Sequence, residues 1–355
     1  MTLQVDWRAL ATAVVLGTVG GAVFKALSIP LPWMLGAMCF TTVAAVSGAK
    51  VAMPRRVRDW FLTVLGVLLG AGFTPAILAR MPEWIVTMAA LAVWAVLAGG
   101  VAYFYMRRVA HYDPTTAFFA ATPGGLAEMT MVGSQYGGHL QTLALSHTAR
   151  IMLVVLVLPI WFRLDGALGS APTQALVGIF DISAIDYLIL GTCAVGGAVV
   201  AKRLRLPAAN MLGPMVCSAA VHLAGITDTQ PPYVVTAAAQ IVLGAAIGQR
   251  FAGMKLRVIG VTVLHAMAAG ALMLALTIAF SAVLAQVTGQ TLPGLVLAFA
   301  PGGFAEMSLV ALALGIDPAV VAGHHLYRIV IVVTLAPLIY RRFFAPGTPP
   351  DIRKP

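Results

Sequence analysis

Ten apolar runs, most of them as long as a bilayer is thick, succeed one another along this sequence and restrict it to one kind of solvent. In the first half they are 9–27, 31–48, 60–79, 84–105 and 139–162; in the second they are 185–201, 208–225, 234–250, 258–286 and 317–340. A helix needs roughly 17–25 apolar residues to cross a hydrocarbon core. In lipid every backbone polar group must be satisfied inside the protein, so runs of this kind predict spanning helices. Two further apolar stretches, 115–136 and 292–315, are interrupted by Pro-Gly-Gly. Only 10% of the residues are charged, where a soluble domain carries roughly a quarter, so the lipid bilayer is the chain's first partner. The stretch that follows Asp6 and Arg8 shows no clear small-residue cleavage site and reads as a first helix, not a removed signal.

The chain also repeats itself, which narrows the fold further. At a shift of 178 positions Pro54 meets Pro232, Gly66 and Gly70 meet Gly244 and Gly248, and Phe73 meets Phe251. Pro123-Gly124-Gly125-x-Ala127-Glu128-Met129 meets Pro301-Gly302-Gly303-x-Ala305-Glu306-Met307, and His147, Arg150, Ile151 and Pro159 meet His325, Arg328, Ile329 and Pro337. Met34-Leu35-Gly36-x-Met38 meets Met211-Leu212-Gly213-x-Met215 at 177, a one-residue slip. Shared membrane composition matches Leu with Ala by chance; it does not match Pro, Glu, His and Arg. The expected organisation is a first repeat over 1–163, an interfacial linker over 164–184, a second repeat over 185–340 and a cytoplasmic tail over 341–355.

Positive charge orients the repeats. The excess of 22 Lys+Arg over 12 Asp+Glu sits in short loops, the pattern of cytoplasmic membrane loops, and gives no sign of nucleic-acid contact. The basic clusters are 49–59, 106–111, 202–205, 250–257 (with Arg250, Lys255 and Arg257) and the tail with Arg341, Arg342, Arg353 and Lys354. Twelve full crossings would scatter them over both faces. If each Pro-Gly-Gly segment dips in and returns, each half has five crossings, the second half is inverted, and all five clusters share one face. The expected fold is therefore an all-α integral membrane protein of two inverted repeats. Each has five transmembrane helices and one Pro-Gly-Gly-broken or re-entrant segment, and both termini lie in the cytoplasm.

Chemistry concentrates at those segments. Pro123 and Pro301 remove a donor, and Gly124, Gly125, Gly302 and Gly303 lower the cost of unwinding. A half-helix restarting at the break aims its N–H groups at it and favours an anion there, with Glu128 and Glu306 in the first turn. One reading is a kink whose Glu caps its own helix; the other is a binding site, since interrupted segments at corresponding positions mark transporter sites. His147 and Arg150 share a helix face, as do His325 and Arg328. Buried ionisable groups of this kind need a partner, and Glu128 and Glu306 are the expected ones, either as a structural ion pair or as part of a site.

Weaker signals remain. Asn210 and Gln240 lie in apolar runs, and Lys25 can snorkel. The glycines at 66, 70, 72, 244 and 248 suit close helix approach better than binding. His111, His139, His222, His265 and His324 fall on different segments without metal-ligand spacing, and Cys39, Cys193 and Cys217 read as small buried apolar residues. No cofactor, metal, Walker, dinucleotide or nucleophile-elbow motif is present. A homo-oligomer is compatible with the pattern.

At the paired Met-Leu-Gly-x-Met and Pro-Gly-Gly-x-Ala-Glu-Met motifs the chain resembles the bacterial AbrB-duplication membrane family over residues 9–340. Members carry the labels ammonia monooxygenase or AbrB-family regulator. The resemblance implies kinship with inverted-repeat secondary transporters of the cation/proton antiporter and anion transporter type, in which broken helices cross at the binding site. An oxygenase would need a metal site, which the sequence lacks. The regulator label is shared with an unrelated small DNA-binding protein, and these loops hold no DNA-reading domain. The expectation is a bacterial inner-membrane secondary transporter of a small polar or anionic solute, proton- or cation-coupled. Glu128 and Glu306 would couple or gate, and Arg150 and Arg328 would balance them or hold the solute. The alternative is a membrane sensor that affects gene expression indirectly; an enzyme comes last.

Overall fold

The structure is a computed structural model, and it describes residues 6–165, 178–254 and 256–344. Lys255, Arg353, Lys354, most of the 164–184 linker and the tail beyond Phe344 lie outside the described residues. All regular structure among the described residues is helical. In chain order the first half forms α1 (Trp7–Ala26), α2 (Pro32–Val46), α3 (Arg55–Gly70), α4 (Pro75–Arg80), α5 (Trp84–Arg108), α6 (Pro114–Ala121), α7 (Leu126–Gln135) and α8 (Leu140–Leu164). The second forms α9 (Ala184–Arg203), α10 (Ala209–Leu223), α11 (Tyr233–Gly248), α12 (Leu256–Thr288), α13 (Leu292–Phe299), α14 (Phe304–Ala313) and α15 (Pro318–Phe343). Side-chain oxygens start several of them. Asp6 Oδ1 accepts from the N–H groups of Arg8 and Ala9, and Ser183 Oγ accepts from Asp186 N–H.

Among the described residues seven helices are long and apolar enough to cross a membrane: the segments Trp7–Ala26, Met81–Arg108, Leu140–Leu164, Ala184–Arg203, Tyr233–Phe251, Ile259–Thr288 and Pro318–Phe343. Their outward sides stay apolar, with Val15, Leu188, Val96, Phe104, Leu264 and Val287 all exposed, a surface that only lipid solvates well. Ten crossings were expected. The runs 31–48, 60–79 and 208–225 instead give α2, α3 and α10, of 15, 16 and 15 residues. At 1.5 Å per residue these reach about 22–24 Å, short of a core of about 30 Å. Local backbone explains the shortening. Leu31 and Ala208, just before α2 and α10, hold left-handed φ of 48° and 47°, and Gly48 and Gly225 end the two helices at φ 87° and 66°. The 60–79 run is split after Gly70, where Pro75 begins the separate α4.

The chain forms two compact units, each drawing on both halves of the sequence. The first takes segments within Met1–Met81, Pro159–Met254 and Ser308–Ala319; the second takes Pro82–Leu158, Lys255–Met307 and Val320–Pro355. The first unit is built on glycine contacts. A Cβ on Gly20 of α1 or Gly36 of α2 would strike the other's backbone, and Gly197 of α9 and Gly213 of α10 do the same. Gly66 and Gly70 of α3 lie on the carbonyls of Met211 and Met215 in α10, while Gly244 and Gly248 of α11 lie on those of Met34 and Met38 in α2. Both copies of Met-Leu-Gly-x-Met are thus helix-packing surfaces. Gln249 ties the end of α11 to the loop before α3 by accepting from Met53 N–H and donating to Met53 O, and Ala52 N–H donates to Ala9 O.

The second unit packs α5, α6, α7, α12, α13 and most of α8 and α15 around Trp94, Phe119, Phe299, Met129 and Tyr340. Trp94 meets Phe299 edge-on at 6.1 Å. Both Pro-Gly-Gly motifs lie in this unit, together with the arginines and histidines singled out above.

Candidate binding site at the paired helix breaks

The two breaks have the same anatomy. Half-helices α6 and α13 are eight residues each, α7 and α14 ten each, and every boundary stands 178 positions from its counterpart. Asp113 starts α6, its carboxylate accepting from Thr116 N–H at 2.9 Å. The helix stops where Thr122 turns extended (φ −66°, ψ 126°), with Thr122 N–H and Oγ1 both donating to Phe118 O. Proline then offers no donor. Gly125 is also extended (φ −65°, ψ 137°) before α7 begins.

The glycines were expected to ease unwinding, yet none of the four has positive φ. What they supply is room. A Cβ on Gly124 would stand 2.7 Å from Met129 Cγ, and one on Gly302 2.8 Å from Met307 Cγ. The places a Gly125 or Gly303 side chain would take hold the carboxylates of Glu128 and Glu306. The motif is therefore a folded unit in which Met and Glu fill the space that the glycines leave.

The first break returns on itself. His139 N–H, just past α7, donates to Thr116 Oγ1 at 2.9 Å, and the Tyr136 ring stacks on Phe119 at 5.9 Å. Residues at the start of α6 thus lie beside residues at the end of α7, and the segment folds back on itself. Tyr340, near the end of α15, bonds Thr115 at 2.6 Å, which places the C-terminal ends of α5 and α15 at that same end of the unit.

Arg150 and Arg328 are buried at 4% and 2% exposure, and His147 and His325 fully so. Arg150 Nη1 donates to Thr122 O at 3.2 Å and to Ala120 O at 3.5 Å. Arg328 donates to the carbonyls of Ala300 and Gly302, the latter at 2.8 Å, and lies 3.2 Å from His325 Nδ1. His325 Nε2 in turn bonds Leu297 O at 2.9 Å. This corrects the expected pairing: Arg150 serves the carbonyl end of α6, and the ion pair with Glu128 is not formed. The half-buried carboxylates instead lie at the N–H ends of α7 and α14. A cation at the carbonyl end and an anion at the amide end each offset a half-helix dipole. In both arginines Nε–H has no partner among the described residues.

Sequence reasoning passed over His324, set aside for lack of metal-ligand spacing. It is fully buried, with Nε2 2.7 Å from Thr87 Oγ1 and Nδ1 2.8 Å from Val320 O. The clue was asymmetry: its counterpart 178 residues earlier is Ser146, whose side chain lies beside Tyr112. Among the described residues no group of three His, Cys, Asp or Glu is placed to hold a metal.

Among the described residues, seven apolar helices and two proline-glycine breaks braced by buried arginines define a helical membrane-type protein. The family described as "Transition state regulatory protein AbrB" matches residues 33–344, and the chain belongs to it. It is similar to "Uncharacterized protein YhjN" of Bacillus subtilis (strain 168), 26% identical over 92% of this chain and 91% of that protein. It is also similar to "Putative regulator AbrB" of Escherichia coli (strain K12), 25% identical over 69% of this chain and 70% of that one.

Proposed function

We propose that the protein is a secondary transporter of a small anionic or polar solute, which it holds at the helix breaks. The observation that carries this reading is the pair of buried arginines whose Nε–H groups have no partner among the described residues. Two cations out of water are costly unless an anion joins them, and the amide ends of α7 and α14 face the same breaks. Glu128 and Glu306 would be the coupling or gating carboxylates, and His147 and His325 would brace the arginines. In this reading residues 1–163 and 185–340 are inverted repeats joined by the 164–184 linker. The protein sits in the bacterial inner membrane with both termini, including the 341–355 tail, in the cytoplasm. The hairpin form of the first break supports it, because a segment that returns to the side it left adds no crossing to its half.

A second reading has support in the name of the Escherichia coli relative: a membrane regulator that binds a solute without carrying it. Counterflow in proteoliposomes separates the two. With a panel of radiolabelled mono- and dicarboxylates, trans-stimulated uptake of at least one is expected. Saturable binding without flux would establish the sensor, and neither binding nor flux would remove the anion reading altogether. An enzymatic role is not part of the proposal.

A further inference from the structure

Beside the first break lies a pocket of about 360 Å³ that the transport reading does not use. It runs along α5 from Ala92 to Tyr103 and along α15 from Ile331 to Phe344, and its inner wall is Thr122 and Pro123. Eleven or more residues of helix correspond to about 17 Å, so it reaches from the depth of the break to the end of the unit. Its lining is almost wholly apolar, and Thr122 Oγ1 is already spent on Phe118 O. A polar solute has nothing to bond there. Val96 (70% exposed) and Leu335 (49%) stand at its open side, on two helices long and apolar enough to face lipid.

The end of this pocket is basic. Tyr103 and Phe344, both in its lining, meet edge-on at 5.5 Å, which draws the C-terminal ends of α5 and α15 together. Those ends carry Arg107 and Arg108, and Arg341 and Arg342. Arg108 lies over the Phe104 ring at 5.4 Å and Arg342 over Phe343 at 5.9 Å, both exposed. Arg107 donates to Tyr112 O. The acid of the adjoining loop, Asp113, is engaged at the start of α6.

We propose that this pocket is a binding site for an anionic phospholipid, with an acyl chain lying against Pro123 and the phosphate held by Arg108, Arg341 and Arg342. Apolar clefts between membrane helices with arginines at the headgroup level are suited to acidic lipids, and the volume falls in the range of ligand pockets. The lipid would border the break from the side opposite its polar groups, so its presence bears on how freely α6 and α7 move.

Native mass spectrometry of the detergent-solubilised full chain tests this, with dioleoyl phosphatidylglycerol titrated against dioleoyl phosphatidylethanolamine. The first phosphatidylglycerol is expected to bind at least tenfold more tightly. The double variant Arg108→Gln/Arg342→Gln should bring it to the level of phosphatidylethanolamine. Gly100 lines the pocket and has open space where a Cβ would go, so Gly100→Phe should fill the cleft without disturbing the fold and abolish the tight event. Gly191→Phe, on an exposed part of α9 with equal room, should leave it intact. Equal binding of the two lipids, or tight phosphatidylglycerol binding that survives Gly100→Phe, would overturn the proposal.

Discussion

The two breaks share a motif, and their boundaries register at 178 residues, but they are not held alike. The second is sealed. Ala300, Pro301 and Gly302 are buried, and Arg328 makes two carbonyl bonds and meets His325, which is itself fixed on Leu297 O. The first is looser. Arg150 has two longer bonds from one nitrogen, Thr122 is half-buried, Ala127 is exposed, and an open pocket runs along Pro123. Where the second half has His324 bonded to Thr87, the first has the smaller Ser146, whose side chain lies beside Tyr112. Duplicated halves with unequal bracing suggest a division of labour: one break anchors, the other moves.

The largest expected effect is all-or-none. If the halves are inverted, the breaks open toward opposite membrane faces. After replacement of Cys39, Cys193 and Cys217, His139→Cys and Thr291→Cys, both exposed positions at the mouths of the two segments, should react with an impermeant maleimide from opposite sides. Labelling from one side would end the inverted-repeat reading and, with it, the pairing of the two breaks.

Next comes stability. Arg328→Gln removes charge-assisted bonds to two buried carbonyls, each worth about 1.5–3 kcal/mol, so a loss of about 3 kcal/mol is expected, and roughly half that for Arg150→Gln. Chemical unfolding in micelles measures both, and equal losses would erase the difference between anchor and mover. Gly124→Ala and Gly302→Ala press on Met129 and Met307 and should each cost about 1–3 kcal/mol. Gly125→Ala displaces only the Glu128 carboxylate; it should cost less than about 1 kcal/mol and yet lower uptake.

Much of this was legible in the sequence, for definite reasons. Pro123 and Pro301 cannot continue a helix, so the breaks fell where expected. The glycines at 66, 70, 244 and 248 do bring helices together. Other features left no residue-type signal. The partners of Arg150 and Arg328 are backbone carbonyls, which every residue carries, whereas a sequence displays only the carboxylates. The short α2 and α10 depend on left-handed Leu31 and Ala208, apolar residues that extend a hydropathy run while keeping the helix from starting earlier. The pocket arises from Gly99 and Gly100 beside Pro123, a contact between segments distant in sequence.

The smallest expected effect sharpens the same comparison. Thr87→Val should cost about 1 kcal/mol by unpairing His324 Nε2, whereas Ser146→Ala, which removes a hydroxyl lying beside the Tyr112 side chain, should cost less than that. If Ser146→Ala lowers uptake while leaving stability unchanged, Ser146 lies on the solute's route through the looser half.

The most direct test of an anion at the breaks is the thermal unfolding of the purified protein with small carboxylates, phosphate and sulfate, at matched ionic strength. A site at equilibrium stabilises the folded state by about 2.7 kcal/mol at a hundredfold excess over Kd, and the midpoint rises with ligand concentration. At least one anion should raise the wild-type midpoint in a saturable way, and Arg150→Gln should abolish that rise while remaining folded. A shift that persists unchanged in Arg150→Gln and in Arg328→Gln, or stabilisation by uncharged solutes alone, would contradict the account.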